Sequence, residues 1–227
     1  MEIVHARGLK GAATAGGLAI VIDVLRAFTV SAWALAGGAG ECLLVAAIED
    51  ARALARGIPG SVISAEIDGL PIAGISISNS PTQVAAADLR GRTLVQRSSA
   101  GTQCTALAAD VADAVLASSL VVASATVRRI QELDPAVVTF IASGTDHGHP
   151  EDTACAEYMA ALLEGRQPDL AALLLPLRES ERWSRILAGE VPGFPPTDLE
   201  LALGPDRFDF AMQCEKTAGR ALRLVRC

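Results

Sequence analysis

An alternation of short apolar runs with alanine-rich stretches constrains this chain more than any single motif in it. Residues Leu18–Ile22 (LAIVI) are wholly apolar and stop at Asp23, the pattern of a strand buried on both faces. Thr29–Ala36 then reads as a helix closed by Gly37-Gly38, because glycine relieves the steric cost of a left-handed helix end. Glu41–Ala46 is the next strand and Glu49–Arg56 the next helix, with acids in its first turn, where the helix dipole favours them. Val62–Ala65 is a third strand, ending at Glu66. The alternation resumes with strand Thr93–Gln96, helix Thr102–Ala109, strand Ala114–Ala117, helix Ser124–Leu133 and strand Ala136–Ala142. Strands spaced by helices of this length predict an α/β chain with a mostly parallel sheet and helices on its faces.

The last third departs from that rhythm. Asp152–Glu164 and Ser180–Leu187 read as helices, while Arg207–Gln213 and Arg220–Arg226 alternate polar and apolar residues around a turn at Thr217–Gly219. Such a pair predicts a half-exposed antiparallel hairpin at the C-terminus, a terminal edge element. Residues 68–81 form a long connection rich in glycine and proline, and long connections in compact α/β chains often carry function.

The chain reads as one unit, 1–227, that divides into two similar α/β halves, about 1–90 and 91–227. The halves align without a gap at an offset of 72: Leu35-Ala36 falls on Leu107-Ala108, Glu41 on Asp113 and Leu43-Leu44 on Val115-Leu116. An internal duplication explains the match, and so does coincidence in a chain rich in alanine and leucine.

Composition narrows the partners. With 51% hydrophobic residues and 20% charged, 227 residues can bury a substantial core. A net charge of −7, from 19 basic against 26 acidic residues, argues against binding to nucleic acid or an anionic membrane, both of which attract basic surfaces. Aromatics at 4% are too few for a base-stacking platform. The five cysteines are odd in number, widely spaced and without a CxxC pair, so they encode neither a disulfide framework nor a zinc site and point to a reducing cytoplasm. Met1–Lys10 lacks the form of a signal peptide, and no apolar run approaches the roughly 18 residues of a spanning helix. A cytoplasmic homodimer with a small anionic substrate is the expected setting.

In parallel sheets ligands bind beyond the carboxyl ends of the strands, so the residues there come first. After the first strand come Asp23, Arg26 and Thr29; after the third, Glu66 and Asp68; after the strand at Thr93, the run Arg97-Ser98-Ser99-Ala100-Gly101-Thr102; after the last, Ser143-Gly144-Thr145-Asp146, then Glu151 and Asp152. Each set is expected in a loop that opens onto a helix. Asp23, Glu66, Asp146 and Asp152 are hard oxygen donors suited to Mg²⁺, which keeps waters and shares substrate phosphate. Arg26 and Arg97 have the fork that grips phosphate or carboxylate, and the loops SSAGT and SGT would offer backbone N–H groups to an anion. Bland roles compete: Asp23 as a helix cap, and the arginines as partners in structural ion pairs. His147 and His149 flank Gly148, but two residues apart on a loop they need not converge.

No GxxxxGK[ST], GxSxG or GxGxxG is present, and Asp23-Val24-Leu25 supplies only half of the DxD start of haloacid-dehalogenase-type phosphatases. A closer match lies in VIDVLRAFTVSAWAL (21–35), SAEIDGLPIAGISISNSP (64–81), GRTLVQRSSAGTQ (91–103), SLVVASAT (119–126), SGTDHGHPEDTACAEY (143–158) and DRFDFAM (206–212). Together these resemble the 2-phosphosulfolactate phosphatase (ComB-like) family, in order and across nearly the whole chain.

The resemblance implies a three-layer α/β/α fold and a Mg²⁺-dependent phosphatase that converts 2-phosphosulfolactate to sulfolactate and phosphate in coenzyme M biosynthesis. It carries Asp23, Arg26 and Thr29 onto the DVLRA-T motif, Glu66 onto the acid of GE, and Asn79 and Ser80 onto NSP. Ser98, Ser99, Gly101 and Thr102 match its hydroxyl-rich loop, and Gly144, Thr145, Glu151 and Asp152 its AGT…ED motif. On that reading Asp23, Arg26 and Glu66 are catalytic. Asp23, Glu66, Glu151 and Asp152 are the metal ligands; Thr29, Asn79, Ser80, Arg97, Ser98, Ser99, Gly101, Thr102, Gly144 and Thr145 bind substrate. Four departures stand out: Ala65 for the Gly of GE, Ile67 for a frequently basic residue, Ser78 for the Gly before NSP, and Ala100 for an Asn. Loss of a basic residue beside Glu66 favours phosphatase chemistry over sulfolactate specificity. A different small phosphometabolite, bound or hydrolysed, is the alternative.

Overall fold

Residues Leu18–Ile22 form strand β2, and all five are buried because their alternate side chains enter two different cores. Ala19 and Val21 join the core on one face of the sheet, Leu18, Ile20 and Ile22 the core on the other. The computed structural model describes residues 1–144 and 149–227, so Thr145, Asp146 and His147 lie outside the described residues. The other strands are β1 (Glu2–Arg7), β3 (Glu41–Leu44), β4 (Val62–Ile67), β5 (Leu70–Pro71), β6 (Thr93–Arg97), β7 (Ala114–Ser118), β8 (Val137–Ala142), β9 (Met212–Lys216) and β10 (Leu222–Arg226). The helices are α1 (Gly8–Ala12), α2 (Ala27–Ala36), α3 (Ile48–Gly57), α4 (Pro81–Ala86), α5 (Gly101–Val111), α6 (Ala123–Leu133), α7 (Pro150–Leu163), α8 (Leu170–Leu173), α9 (Leu175–Arg178), α10 (Glu181–Leu187) and α11 (Thr197–Leu203).

All ten strands join one mixed sheet in the order β1-β8-β2-β7-β9-β10-β3-β6-β4-β5. It contains two parallel blocks: β1, β8, β2 and β7 on one side, and β3, β6 and β4 on the other. The C-terminal hairpin β9-β10 stands between the blocks, antiparallel to both β7 and β3. The hairpin is therefore central, where the sequence pattern predicts an edge. Its half-exposed alternation misleads because central strands of a strongly twisted sheet can also leave one face partly open. Its first strand begins at Met212 rather than Arg207, since Phe208 donates its backbone N–H to Val121 and its ring meets Trp33 edge-on. The true edge at one end is β1, drawn from an N-terminal segment whose charges hide its strand character.

The strand order has an internal symmetry. β2 lies between β7 and β8, and β6 lies between β3 and β4. Strands from residues 1–90 and 91–227 thus interleave: β2 lies between two strands of the second half, and β6 between two strands of the first. Neither half completes a sheet without the other.

This topology positions the site. Because the hairpin reverses direction, the two parallel blocks run oppositely, and in a flat sheet the carboxyl ends of β2 and β6 would open on opposite edges. Yet the N–H of Gly101, just after β6, reaches the Asp23 carboxylate just after β2 at 3.1 Å. α2 makes the crossing: it leaves β2 and packs on β6, where Gln96 donates to Ala27 O at 2.7 Å and Ser31 donates to Gln96 Oε1 at 2.5 Å. Eight of its ten residues are buried, as a helix enclosed on all sides requires. α6 and α7 cover the opposite face of one block and α3 that of the other, completing three layers.

Candidate active site

Asp23 follows β2 directly, and its two carboxylate oxygens serve two helix starts. Oδ1 accepts the N–H of Ala27 in α2 at 2.9 Å, and Oδ2 accepts the N–H of Gly101 in α5 at 3.1 Å. Helix N-termini attract anions, and here the chain supplies the anion from its own sequence. Burial pushes the Asp23 pKa up, Glu66 and Glu151 push the same way, and the Ala27 N–H and His149 hold it down; the net direction is upward. Gly101 is obligatory because a Cβ there would lie 2.6 Å from Asp23 Oδ2 and 3.1 Å from the Ala27 Cβ. Gly101→Ala is expected to displace the carboxylate and cut activity by at least about tenfold, measured as kcat on any substrate the wild type accepts.

Asp152, in the first turn of α7, faces Asp23 from the far side of the same turn. Its Oδ1 accepts the N–H of Val24 at 2.8 Å; Oδ2 accepts the N–H of Gly144 at 3.1 Å and the Ser143 hydroxyl at 3.3 Å. Burial and then the Asp23 charge raise its pKa well above the usual aspartate range. Glu66 ends the third approach. It lies within β4, and the chain continues into a hairpin with β5 instead of the expected loop opening onto a helix. Its carboxylate accepts from the N–H and hydroxyl of Ser99 and from the N–H of Gly69 at 2.5 Å.

Cationic groups meet these acids in one cavity of about 470 Å³. Arg26 is buried; its Nη1 donates to Asp198 Oδ2 at 2.9 Å and to Gly193 O at 2.6 Å, and its guanidinium lies 4.0 Å over the Phe194 ring. Burial lowers its pKa, and the hydrogen bond and charge of Asp198 oppose that fall. Arg182, from α10, donates to Glu151 Oε1 at 2.6 Å, and His149 Nδ1 lies 3.3 Å from the same oxygen. Burial pulls the His149 pKa down, but the Glu151 hydrogen bond and nearby carboxylate charge outweigh it and leave the imidazole above its ordinary value. Burial pushes Glu151 up, and His149 and Arg182 more than offset that, holding it below the usual range. A hollow of about 610 Å³ beside Trp33 and Phe208 is larger, but among the described residues Asp88 and Arg90 are its only charged lining residues.

The expected site residues divide sharply. Asp23, Arg26, Glu66, Asn79, Ser99, Gly144 and Asp152 line the cavity. Thr29, Ser80, Arg97, Ser98 and Thr102, expected to bind substrate, instead hold the loops in place. Thr29 donates to Val24 O at 2.7 Å, and Ser80 caps α4 and donates to Asp198 at 2.7 Å. Ser98 and Thr102 bond reciprocally at 2.9 and 3.0 Å, and Arg97 braces the Glu66 and Ser99 corner through Glu66 O at 2.5 Å. The SSAGT amides, expected to cradle a substrate anion, are largely occupied: Ser99 and Gly101 donate to Glu66 and Asp23, Ser98 and Thr102 to each other. Glu151, expected as a metal ligand, is ion-paired with Arg182. Thr145 lies outside the described residues.

Arg182, Phe194 and Asp198 complete the cavity or its support, and sequence reasoning missed all three. They follow no strand and sit in a segment with ordinary amphipathic composition, so no local signal marks them. The cysteines stay out of the chemistry: burial pushes Cys104, which feels the charges of Asp23 and Asp152, up to about 12, too high for a thiolate nucleophile.

The donor set also tests a metal. Among the described residues no three His, Cys, Asp or Glu side chains converge into an all-protein cage. Asp23 and Asp152, however, are two buried carboxylates whose pKa values are raised, Asp152 in part by the charge of Asp23, and a cation beside them would relieve that repulsion. Each of their oxygens that accepts one N–H keeps a further lone pair. An open site of two carboxylates completed by water and phosphate is the kind Mg²⁺ prefers, so these residues fit the ion.

The chain is similar to known proteins over most of its length. The family model described as 2-phosphosulpholactate phosphatase matches residues 4–191. A relative described as probable 2-phosphosulfolactate phosphatase from Bacillus subtilis (strain 168) is 35% identical over 158 residues, 67% of this chain and 67% of the relative. One of the same description from Deinococcus radiodurans is 33% identical over 166 residues, 71% of this chain and 69% of the relative. Gly193, Phe194 and Asp198 lie beyond the matched residues of the family model.

Proposed function

The chain belongs to the 2-phosphosulfolactate phosphatase family, and from that premise we propose that it is a Mg²⁺-dependent phosphatase releasing phosphate from a phosphorylated small hydroxy acid. The observation that carries the reading is the meeting of Asp23, Asp152 and Glu66 with Arg26 in one cavity, at the starts of α2, α5 and α7. The family's reaction, 2-phosphosulfolactate to 3-sulfolactate and phosphate, is the first to test. A second phosphometabolite is favoured by Ile67, exposed where a basic residue is frequent in the family. A cytoplasmic homodimer belongs to the same proposal; among the described residues no helix is long and apolar enough to cross a membrane.

Mg²⁺ held by Asp23 and Asp152, with Glu66 facing the same cavity, would supply charge neutralisation at the phosphoryl oxygens. Arg26 uses Nη1 for Asp198 and Gly193, which leaves Nε and Nη2 of its planar fork for phosphoryl oxygens. His149, with its raised pKa, carries more positive charge at neutral pH than a free imidazole and strengthens that side of the cavity. Leu25 and Phe194 limit water around the reacting group, and in a drier site each charge acts more strongly.

The test is phosphate release from a panel of phosphorylated small hydroxy acids, phosphosulfolactate included, with Mg²⁺ and with EDTA. Metal-dependent release is expected; saturable ligand binding without release on any of them would make the protein a binding relative. A thermal readout checks the ion separately. Asp23 and Asp152 have folded-state pKa values raised above the ordinary 3.8, so the stability they contribute is full below that value and is lost as pH rises through the raised values. Mg²⁺ competes with those protons and binds only the folded site, so it is expected to raise Tm more at pH 8 than at pH 5. No Mg²⁺ effect on Tm at pH 8 would remove the two-carboxylate site.

A further inference from the structure

We propose that the mouth of the cavity selects a phosphomonoester whose alcohol half ends in an apolar group, over one that ends in a second strong anion such as a sulfonate. This rests on the phosphatase reading and concerns only the half of the substrate that departs as the alcohol. The β4-β5 hairpin forms one wall of the mouth, and it carries two of the large apolar side chains the fold leaves exposed, Ile67 at 43% and Leu70 at 51%. Leu70 lines the cavity, and Val191 and Phe194 line it too. The walls touch: Gly193 has φ +68, and a Cβ there would sit 2.4 Å from Pro71 Cγ. An exposed leucine lining a concave polar site marks a place where apolar surface is buried on binding, and Ile67 extends that apolar surface along the same hairpin.

The charges point the same way. Among the described residues the cations lining the cavity are Arg26, His149 and Arg182, and each already faces a carboxylate: Asp198 at 2.9 Å for Arg26, and Glu151 at 3.3 and 2.6 Å for the other two. Asp23, Glu66, Asp68 and Asp152 line the same cavity. One phosphate with its metal ion suits that balance. A sulfonate at the mouth would lose water beside Asp68, which sits on the hairpin between Ile67 and Leu70, and among the described residues every cation that lines the cavity already has a carboxylate partner.

The test compares kcat/KM of the Mg²⁺-loaded enzyme for 2-phosphosulfolactate and for the phosphate ester of 2-hydroxy-4-methylpentanoate, with p-nitrophenyl phosphate as a general phosphomonoester. The branched apolar ester is expected to be favoured by at least about tenfold, mainly through KM, the scale on which apolar pockets discriminate. Equal values, or preference for the sulfonated ester, overturn the inference and leave the phosphatase reading standing. Release from none of the three, p-nitrophenyl phosphate included, overturns both. Leu70→Arg, at an exposed position that tolerates charge, is expected to move the ratio about tenfold toward the sulfonated ester; an unmoved ratio in a folded variant overturns the inference as well.

Discussion

Asp23→Asn is expected to lower phosphate release roughly a thousandfold, the scale on which loss of one central charged group acts on transition-state stabilisation. The substitution removes the charge that would hold Mg²⁺ or attack phosphorus while keeping the side chain's size. One amide oxygen can still accept from Ala27 or Gly101, the two N–H groups Asp23 now serves at 2.9 and 3.1 Å. Repulsion from Glu66 and Glu151 also disappears, so the variant is expected to fold. Activity and thermal melting measured on the same preparation separate the two effects. Release within tenfold of wild type would move the chemistry away from Asp23. Single-turnover hydrolysis in ¹⁸O-water and acid-quench trapping then read its role: label in the Asp23 carboxylate, or phosphate trapped on Asp23, marks it as the nucleophile, and label in phosphate alone with no trapped phosphoryl-enzyme marks attack by water.

Asp198→Ala is expected to carry the largest stability loss of any single substitution at the site, about 3–5 kcal/mol, because it leaves Arg26 buried without its counter-ion. Arg26 is 3% exposed and Asp198 fully buried. Asp198 also accepts from the Ser80 hydroxyl at 2.7 Å and the Thr82 N–H at 3.0 Å, so its removal orphans donors at the start of α4 as well. Urea denaturation measures the loss, and Asp198→Asn, which keeps an acceptor oxygen, is expected to lose less. A loss below about 1 kcal/mol for Asp198→Ala, the scale of an exposed pair, would mean that Arg26 finds another partner. Activity is expected to fall with stability in both variants, since Arg26 cannot hold its place in the cavity without the support beneath it.

Much of this molecule is legible in the sequence where a physical signal is local. The run LAIVI has no polar position to leave in water, so β2 had to be buried on both faces. Asp23, Glu66 and the Arg97–Thr102 stretch stand out because polar residues at strand ends in an apolar chain need a reason. Signals that depend on distant partners are not local. Thr29 and Ser80 look like ligand-binding hydroxyls in a motif, and only the folded chain shows one turned back onto Val24 O and the other onto Asp198. The amides of the SSAGT loop look free for a substrate until Asp23 and Glu66, 78 and 33 residues earlier, are seen to occupy two of them.

By itself the sequence determined the alternation of strands and helices, the strand-end acids and the family, because period, burial and motif spacing are properties of neighbouring residues. The tertiary structure alone decided that the C-terminal hairpin stands in the middle of the sheet, since pairing partners are chosen by long-range packing and a half-exposed pattern suits either place. That insertion reverses one parallel block against the other, yet α2 crosses from β2 to β6 and residues after the two strands meet. Asp23 meets Gly101 across 78 residues and Arg26 meets Asp198 across 172, contacts set by long-range packing that no local pattern could encode.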